Sequence, residues 1–307
     1  MTQSYISFPN LNLTFNIDRV AFTIGGKEVY WYGIIIAVGF LLAVACGLFL
    51  AKKYGMKQDT VIDIVIIAAP VSVICARLYY VAFNWDFYGK HPEEIIRIWN
   101  GGIAIYGAVI AAIIVAAVYC KIKKENFGLF CDIGSIGLLI GQSIGRWGNF
   151  VNQEAFGVNT DLPWAMTGSG IKRELLDMMI DGIDVDATLP VHPTFLYESL
   201  WNFVFLVVFL LLFKKRKYDG QIFAGYLMSY GVGRFFIEGL RTDSLYIGSI
   251  RVSQLVAVLC VVAGAVLMIV NLRKKDRKVT LPVGMESEIE TDVEAEAAEE
   301  ETEQENS

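Results

Sequence analysis

Charge is scarce in this 307-residue sequence. Only 19% of the residues are Asp, Glu, Lys or Arg and 55% are hydrophobic, whereas a soluble domain carries about 25% charged residues. Histidine occurs twice, and the five cysteines have no CxxC spacing. The sequence therefore lacks the clusters of a metal site or a disulfide framework, and we expect neither a metal nor a cofactor. It also has no P-loop and no dinucleotide-binding glycine motif.

The acidic residues are concentrated at one end of the chain. Residues 285–307 contain eleven Asp or Glu and no Lys or Arg, so the rest of the chain is mildly basic although the net charge is −6. A segment of this composition cannot bury enough apolar surface to offset its ordering entropy, which predicts a disordered tail. A solvated C-terminus is a simpler interpretation of this tail than an acidic binding arm.

Long apolar runs are the main feature of the sequence. Seven of them come close to the ~20 residues that a helix needs to cross a bilayer. They lie at 31–51, 60–83, 101–120, 129–149, 194–213, 220–240 and 252–271. The sequence therefore predicts an all-α integral membrane protein, with a bundle of seven transmembrane helices between residues 31 and 271.

The orientation of the bundle follows from the basic residues in its short loops. Lys and Arg cluster in every second loop, after spans one, three, five and seven: Lys52, Lys53, Lys57; Lys121, Lys123, Lys124; Lys214, Lys215, Arg216, Lys217; Arg273, Lys274, Lys275, Arg277, Lys278. Loops rich in Lys and Arg stay in the cytosol. We therefore expect the N-terminus outside the cell and residues 272–307, basic and then acidic, in the cytosol.

Two segments remain outside the predicted membrane part. Residues 1–30 look like interfacial or short strand-like pieces, with a turn at Gly25-Gly26. The outer connection 150–193 is long enough to form a small extracytoplasmic subdomain.

Most polar residues inside the apolar runs converge on one depth, and only Asp63 and Asp132 lie toward the cytosolic half. The outer ends of the predicted spans carry Tyr32, Arg77, Tyr106, Arg146, Asn149, Glu198, Arg234, Glu238 and Arg241. An intramembrane Arg or Glu costs ~2.5 kcal/mol or more on insertion scales, so it normally faces the bundle interior and marks function. A guanidinium donates two parallel hydrogen bonds to a phosphate and stays charged. The sequence predicts a phospholipid-binding cavity in the outer leaflet.

Simpler interpretations exist for several of these residues. Arg234 and Glu238, four residues apart on one helix face, are also compatible with a structural ion pair. For Arg241 we favour a side chain that reaches back to the interface. A single tyrosine at this depth is typical of the aromatic belt. The glycines of GRWGNFVNQEAFG (145–157) predict a tight non-helical exit, either as part of a site or as a plain loop.

Taken together, the motifs resemble those of the prolipoprotein diacylglyceryl transferase family. The resemblance is carried by GRWGNFVNQEAFG together with WYG (31–33), ARLYYV (76–81), GGIAIYG (101–107), HPTFLYES (192–199) and GRFFIEGLR (233–241). These segments occur in the family's order between residues 31 and about 271. The acidic tail lies outside the resemblance.

The resemblance implies an activity and its residues. The family moves the diacylglyceryl group of phosphatidylglycerol onto the lipobox cysteine of a preprolipoprotein and releases glycerol 1-phosphate. It therefore implies a membrane lipid and a signal peptide as partners, and no nucleic acid. By motif, Arg146 matches the family's phosphatidylglycerol-binding arginine and Arg234 its second essential arginine. The other matching positions are Asn149, Glu154, Gly157, Glu238 and Tyr32, and we add Arg77 to the expected lipid-binding set.

One position departs from the family pattern. Several members have histidine, which has been cast as the general base, where this sequence has Tyr106. A phenol, which ionises near pH ~10 in water, is a poor base at neutral pH. The identity of the base is therefore open, with Tyr106 as one candidate catalytic residue beside Arg146, Arg234 and Glu238.

Two functions of other classes use similar residues. A secondary transporter or channel could hold an anionic solute with the same arginines, although such proteins often show inverted repeats and helices broken at mid-membrane. A non-catalytic lipid-binding scaffold is the third possibility. Only the enzyme would release glycerol phosphate in a reaction that depends on a thiol.

Overall fold

The structure is a computed structural model that describes residues 4–248 and 250–284, and it is mostly helical. The acidic tail predicted over 285–307 lies outside the described residues. In chain order the elements are β1 (Ile6–Phe8), β2 (Leu13–Phe15), β3 (Val20–Ile24), β4 (Lys27–Tyr30), α1 (Trp31–Lys53), α2 (Gln58–Phe83), α3 (Trp85–Tyr88), α4 (Ile105–Lys123), α5 (Phe127–Asn152), β5 (Thr167–Gly168), α6 (Ser169–Ile180), α7 (Thr194–Leu212), α8 (Gln221–Glu238), β6 (Tyr246–Ile247), β7 (Ile250–Arg251) and α9 (Val252–Arg273).

Six helical segments of the described chain are long and apolar enough to cross a membrane. They are Trp31–Lys53, Gln58–Phe83, Ile105–Lys123, Phe127–Asn152, Thr194–Lys215 and Val252–Arg273. The seventh predicted span, 220–240, is also a helix, α8, but it does not reach this standard. Its 18 residues include Gln221, Arg234 and Glu238, which lower its mean hydropathy. The helix is therefore confirmed, and its crossing of the membrane stays a prediction.

The chain divides into two compact units, which we describe separately. The first comprises residues 4–46 and 132–279, and the second 47–131 and 280–284. The helices α1 and α5 each contribute to both units.

Short strands and an apolar core form the part of the first unit that precedes and follows its long apolar helices. The strand β1 pairs with β2 and with β5, and β3 pairs with β4. Gly25 and Gly26, both at positive φ, form the turn between β3 and β4, which confirms the predicted turn. The core beneath them combines side chains of the N-terminal strands, the end of α5, the 150–193 connection and α7: Ile6, Phe8, Phe150, Val151, Phe156, Met166, Ile171, Leu175, Ala187, Val191 and Phe195. The N-terminal pieces and the outer connection thus fold together.

Close packing organises the long helices of the first unit. The helices α8 and α9 meet at small residues: a Cβ on Gly231 would lie 2.4 Å from the Ala257 carbonyl oxygen. The helices α7 and α8 are joined by the Trp201 indole, which donates to the Ser229 carbonyl at 2.8 Å. The start of α8 is held by Asp132 of α5, whose carboxylate accepts hydrogen bonds from the backbone N–H groups of Gly220 and Phe223.

The second unit is built on the pairing of α2 with α4. A Cβ on Gly107 would lie 2.6 Å from the Cys75 carbonyl oxygen, so the two backbones approach closely at that point. The Tyr119 hydroxyl donates to the Asp63 carboxylate between the same helices. Gly101 and Gly102, both at positive φ, precede α4, so the helix begins at Ile105 and not at residue 101, where the predicted third span starts.

Candidate active site

Three helices of the first unit bring the predicted polar residues together. Arg146 and Asn149 lie near the end of α5, Glu198 in the first turns of α7, and Arg234 and Glu238 near the end of α8. The helices α5 and α7 are tied by the Ser199 hydroxyl, which donates to the Ser143 carbonyl at 2.8 Å. The helical register thus places the charged side chains of the three helices in one cluster.

Glu198 is the centre of this cluster. Its Oε2 lies 2.5 Å from Arg146 Nη2. Its Oε1 lies 3.1 Å from Arg234 Nη1 and 3.5 Å from Arg241 Nη1. The Glu198 side chain is only 7% exposed. One buried carboxylate therefore forms ion pairs with three guanidiniums, which come from three different segments of the chain, and it accepts hydrogen bonds from two of them, Arg234 and Arg241.

Two of these arginines have a second carboxylate partner. Arg234 Nη2 lies 2.6 Å from Glu238 Oε2 on the same face of α8, so the predicted i,i+4 pair is confirmed. Arg241 holds Asp243 with two hydrogen bonds, of 2.9 and 2.7 Å. The Arg241 side chain is only 11% exposed. These contacts with Glu198 and Asp243 favour a place in the cluster over the expected side chain that reaches back to the membrane interface.

The family motif of α5 supplies the surroundings of Arg146. Arg146 Nη1 donates to Asn149 Oδ1 at 3.4 Å, and Asn149 in turn donates to Glu154 Oε1 at 2.8 Å. Asn149 therefore separates the Arg146 guanidinium from the Glu154 carboxylate and bonds to both. The helix continues through this stretch to Asn152, so the non-helical exit begins later than we expected. Beyond it, Gln153 and Ala155 adopt positive φ.

Gly157, at the end of the motif, positions the chain around Arg241. It forms a β-bridge with Arg241, and a Cβ on Gly157 would lie 2.8 Å from His192 Cβ and 2.9 Å from the Leu240 carbonyl oxygen. A larger residue would force these backbones apart. Gly157 thus acts on the site through packing.

Tyr32 approaches the same motif from α1. A Cβ on Gly148 would lie 2.7 Å from the Tyr32 ring. The Tyr32 ring therefore packs directly on α5 at Gly148, which lies between Arg146 and Asn149 in the sequence. The Tyr32 residue is 38% exposed. A tyrosine of the aromatic belt alone would not need this glycine.

Arg77 and Tyr106 belong to the second unit. The Arg77 guanidinium donates four hydrogen bonds to the backbone carbonyls of Glu94, Ile95, Gly101 and Gly102, and the residue is 5% exposed. These contacts hold the 94–102 loop and use most of its donors. They favour a structural role for Arg77 over the expected lipid contact. Tyr106, in the first turn of α4, is half-buried, and its hydroxyl meets no partner among the residues that the structure describes.

Two carboxylates of the cluster were given no role from the sequence. Glu198 was placed among the polar residues at the outer ends of the predicted spans but was not assigned to the lipid site, although it lies in the HPTFLYES motif. Asp243 lies five residues past Glu238, and no motif in the sequence marks it as a site residue. Its position depends on how the chain turns back toward the cluster after α8, which the sequence does not show. Only the tertiary structure shows that both carboxylates face the arginines.

The residue that precedes Glu198 in the sequence contacts two other ring side chains. Tyr197, next to Glu198, accepts a hydrogen bond from the Trp164 indole at 2.8 Å and lies 3.1 Å from His192 Nδ1. Burial lowers the pKa of His192, which precedes the membrane helix. These contacts hold the first turn of α7 and therefore the position of Glu198 in the cluster.

The arrangement can bind an anion with several oxygens. Guanidiniums from α5, α8 and the segment after α8 point at one place, and each offers paired N–H donors. No group of three or more His, Cys, Asp or Glu side chains in the described part of the chain is arranged to hold a metal ion.

Comparisons with known proteins identify the family of this chain. A model of the family described as prolipoprotein diacylglyceryl transferase matches residues 19–270. Three relatives are named phosphatidylglycerol–prolipoprotein diacylglyceryl transferase. That of Finegoldia magna is 47% identical over 254 residues, covering 82% of this chain and 95% of the relative. Those of Clostridioides difficile and Bacillus velezensis are each 44% identical, over 261 and 255 residues, covering 85% and 82% of this chain and 98% and 92% of the relatives. The chain therefore belongs to the prolipoprotein diacylglyceryl transferase family and is a membrane transferase of lipoprotein biosynthesis.

Proposed function

We propose that the chain transfers the sn-1,2-diacylglyceryl group of phosphatidylglycerol to the thiol of the lipobox cysteine in a preprolipoprotein. The products are a thioether-linked lipoprotein and glycerol 1-phosphate, in the first step of bacterial lipoprotein maturation. Family membership and the names of the relatives support the two substrates. The observation in this chain that carries the proposal is the convergence of three guanidiniums on Glu198.

The reaction defines what the site must do. A carbon–sulfur bond forms at the glycerol carbon while the bond from that carbon to a phosphate oxygen breaks, and its electron pair leaves with the phosphate. The leaving group changes from a diester with one negative charge to a monoester with about two. The thiol proton passes to solvent or to this monoester, whose second pKa is about 6.

The arginines match this change in charge. Because negative charge grows on the phosphate, guanidiniums fixed around it interact more strongly with the transition state than with the bound lipid. Arg146 and Arg234 take this role. Glu238 orients Arg234 through their ion pair, and the same positive field favours the substrate thiolate, which is the reactive form.

The remaining motif residues shape the lipid site. Asn149, held by Glu154, presents its amide beside the Arg146 guanidinium, where a headgroup would bind. Gly157 allows the segment at Arg241 to pack closely, and the Tyr32 ring packs against α5 at Gly148. We assign Tyr106 to a hydrogen bond with a lipid headgroup, not to proton transfer, because a phenol is a weak base at neutral pH. Arg77, assigned from the sequence to the lipid site, is better explained by its hold on the 94–102 loop.

The orientation is part of the proposal. The basic loops support an N-terminus outside, a cytosolic C-terminus and seven spans, with α8 as the sixth. The end of α5, the start of α7 and the end of α8 then all lie in the outer leaflet. The arginine cluster, which consists of Arg146, Arg234 and Arg241 around Glu198, lies among them. Preprolipoproteins would meet the enzyme there, at the extracytoplasmic face of the bacterial plasma membrane.

Product analysis separates this function from a transporter or a lipid-binding scaffold. The purified protein would be incubated in phosphatidylglycerol micelles with a lipobox peptide, or with the same peptide whose cysteine is replaced by serine. We expect glycerol phosphate and modified peptide in equal amounts with the first peptide and neither with the second. Release of glycerol phosphate with both peptides, or with neither, would refute the proposal.

A further inference from the structure

Glu198 has a different position from the other carboxylates of the arginine cluster. Glu238 contacts Arg234 from one side, and Asp243 contacts Arg241 from another. Glu198 alone contacts both of these arginines and Arg146, at the point where the three guanidiniums meet. It therefore occupies the place that is best suited to an incoming anion.

Arg146 depends on Glu198 more than the other two arginines do. Among the described residues, Arg146 has no second carboxylate within ion-pair distance, since Asn149 stands between it and Glu154. The Arg146 side chain is 26% exposed, so most of it is shielded from water among the helices, and a shielded guanidinium needs a counter-ion when the substrate is absent. Glu198 supplies that charge in the structure.

We propose that Glu198 is a placeholder for the substrate phosphate. It neutralises the three arginines in the free enzyme, gives up some of these contacts when the phosphate of phosphatidylglycerol binds, and takes them back as glycerol 1-phosphate leaves. This inference rests on the proposed function. It assigns Glu198 a positioning role, because its carboxylate acts through the arginines and makes no bond to the reacting carbon.

The need for such a placeholder follows from the charge of the product. Groups that stabilise the developing phosphate charge also hold the product, which carries that charge in full. Without a competing anion, three converging guanidiniums would release glycerol 1-phosphate slowly. A tethered carboxylate competes for the same N–H donors at every turnover and weakens product binding.

Removal of the Glu198 charge tests the proposal. We expect Glu198→Gln to lower the inhibition constant of glycerol 1-phosphate about tenfold, the scale of one hydrogen bond to a charged group. The KM for phosphatidylglycerol should fall as well, and kcat should fall because product release is slower. A residue that only supports the fold would not lower KM and the inhibition constant when it is mutated.

Asp243→Asn is the matched control. It removes the same charge from the same cluster, but Asp243 contacts only Arg241 of the three arginines and its side chain is 39% exposed. If net charge alone determined anion binding, both variants would bind glycerol 1-phosphate more tightly to a similar degree. We expect less than a threefold change for Asp243→Asn because water screens an exposed charge.

Other results would overturn the placeholder role or the proposed function. An unchanged or higher inhibition constant in folded Glu198→Gln would overturn the placeholder role. If that variant does not fold, Glu198→Asp keeps the charge but shortens the side chain, and its inhibition constant should still fall several-fold; an unchanged value would overturn the proposal too. If the wild-type protein shows no thiol-dependent release of glycerol phosphate, the proposed function itself fails. If that release occurs but glycerol 1-phosphate has the same inhibition constant for Glu198→Gln as for the wild type, the placeholder role is refuted and the proposed function stands.

Discussion

At the scale of single residues, similar arginines have different partners. The Arg77 guanidinium donates to four backbone carbonyls, which are part of the fold and cannot move aside. The Arg146 guanidinium contacts a carboxylate and an amide on flexible side chains. A ligand can replace the second kind of partner but not the first. The sequence marked both arginines equally, because the number and type of their partners depend on tertiary structure.

The guanidinium shape of Arg146 should matter more than its charge. We expect Arg146→Lys to lose most activity, about a hundredfold in kcat/KM, because one ammonium cannot contact both the phosphate and Asn149 as the planar fork does. The measurement is peptide lipidation by purified variants. Arg273→Lys, an exposed substitution at the end of α9, is the control and should match the wild type. Near-normal turnover in Arg146→Lys would make Arg146 a structural residue.

Tyr106 should contribute one hydrogen bond and no proton transfer. The hydroxyl has no partner among the described residues, so it is available to a ligand. Tyr106→Phe should then cost about 0.5–1.5 kcal/mol, roughly tenfold in rate. A general base would contribute ~10²–10⁴-fold. Lipidation rates across a range of pH distinguish the two, and a loss beyond about a thousandfold that eases as pH rises would identify Tyr106 as the base.

At the scale of elements, the apolar runs predicted the helices but not all of their ends. The helix α1 (Trp31–Lys53) nearly matches the predicted 31–51, because charged residues follow the run directly. The helix α5 continues to Asn152, past Arg146 and Asn149, since Gly145 and Gly148 are tolerated where they pack against Ile36 and Tyr32. The helix α6 was not predicted, because its stability comes from a core that it shares with distant strands.

Helix packing can be tested at two glycines that differ in their surroundings. A Cβ on Gly231 would lie 2.4 Å from the Ala257 carbonyl oxygen in the α8–α9 contact, whereas a Cβ on Gly134 in α5 meets nothing within 4 Å. Gly231→Ala should destabilise the protein by ~1–3 kcal/mol because the helices must separate. Gly134→Ala should be neutral or stabilising by up to about 1 kcal/mol because alanine favours the helix. Thermal unfolding in detergent compares them, and equal effects would contradict the packing described here.

At the scale of the whole molecule, the sequence predicted the class of protein and its family. It did so because membrane spans depend on composition and the motifs are long. The arrangement of charges in the cluster was not predictable, because Glu198, Arg241 and Asp243 meet only after three helices and a return segment have packed. The proposed function rests on both levels: the family identifies a membrane transferase, and the packed structure brings together the arginines to which we assign the exchange of a carboxylate for a phosphate.

The proposed orientation predicts which residues face the outside of the cell. In a background without the native cysteines, Asp184→Cys, in the exposed outer connection, should react with an impermeant thiol reagent on intact cells. Lys123→Cys, exposed at the end of α4, should react only after the membrane is opened. Labelling with the opposite sidedness would place the arginine cluster in the cytosolic leaflet and contradict the proposed site of action.

The most direct measurement is the binding of glycerol 1-phosphate to the arginine cluster. Saturating product should raise the midpoint of thermal unfolding of the wild-type protein in detergent, because a ligand that binds the folded state stabilises it. Arg146→Ala should remain folded, since Glu198 keeps Arg234 and Arg241 as partners, but it should show neither this stabilisation nor transfer to a lipobox peptide. If Arg146→Ala is stabilised by glycerol 1-phosphate as strongly as the wild type, and transfers at a similar rate, the cluster does not bind the leaving phosphate.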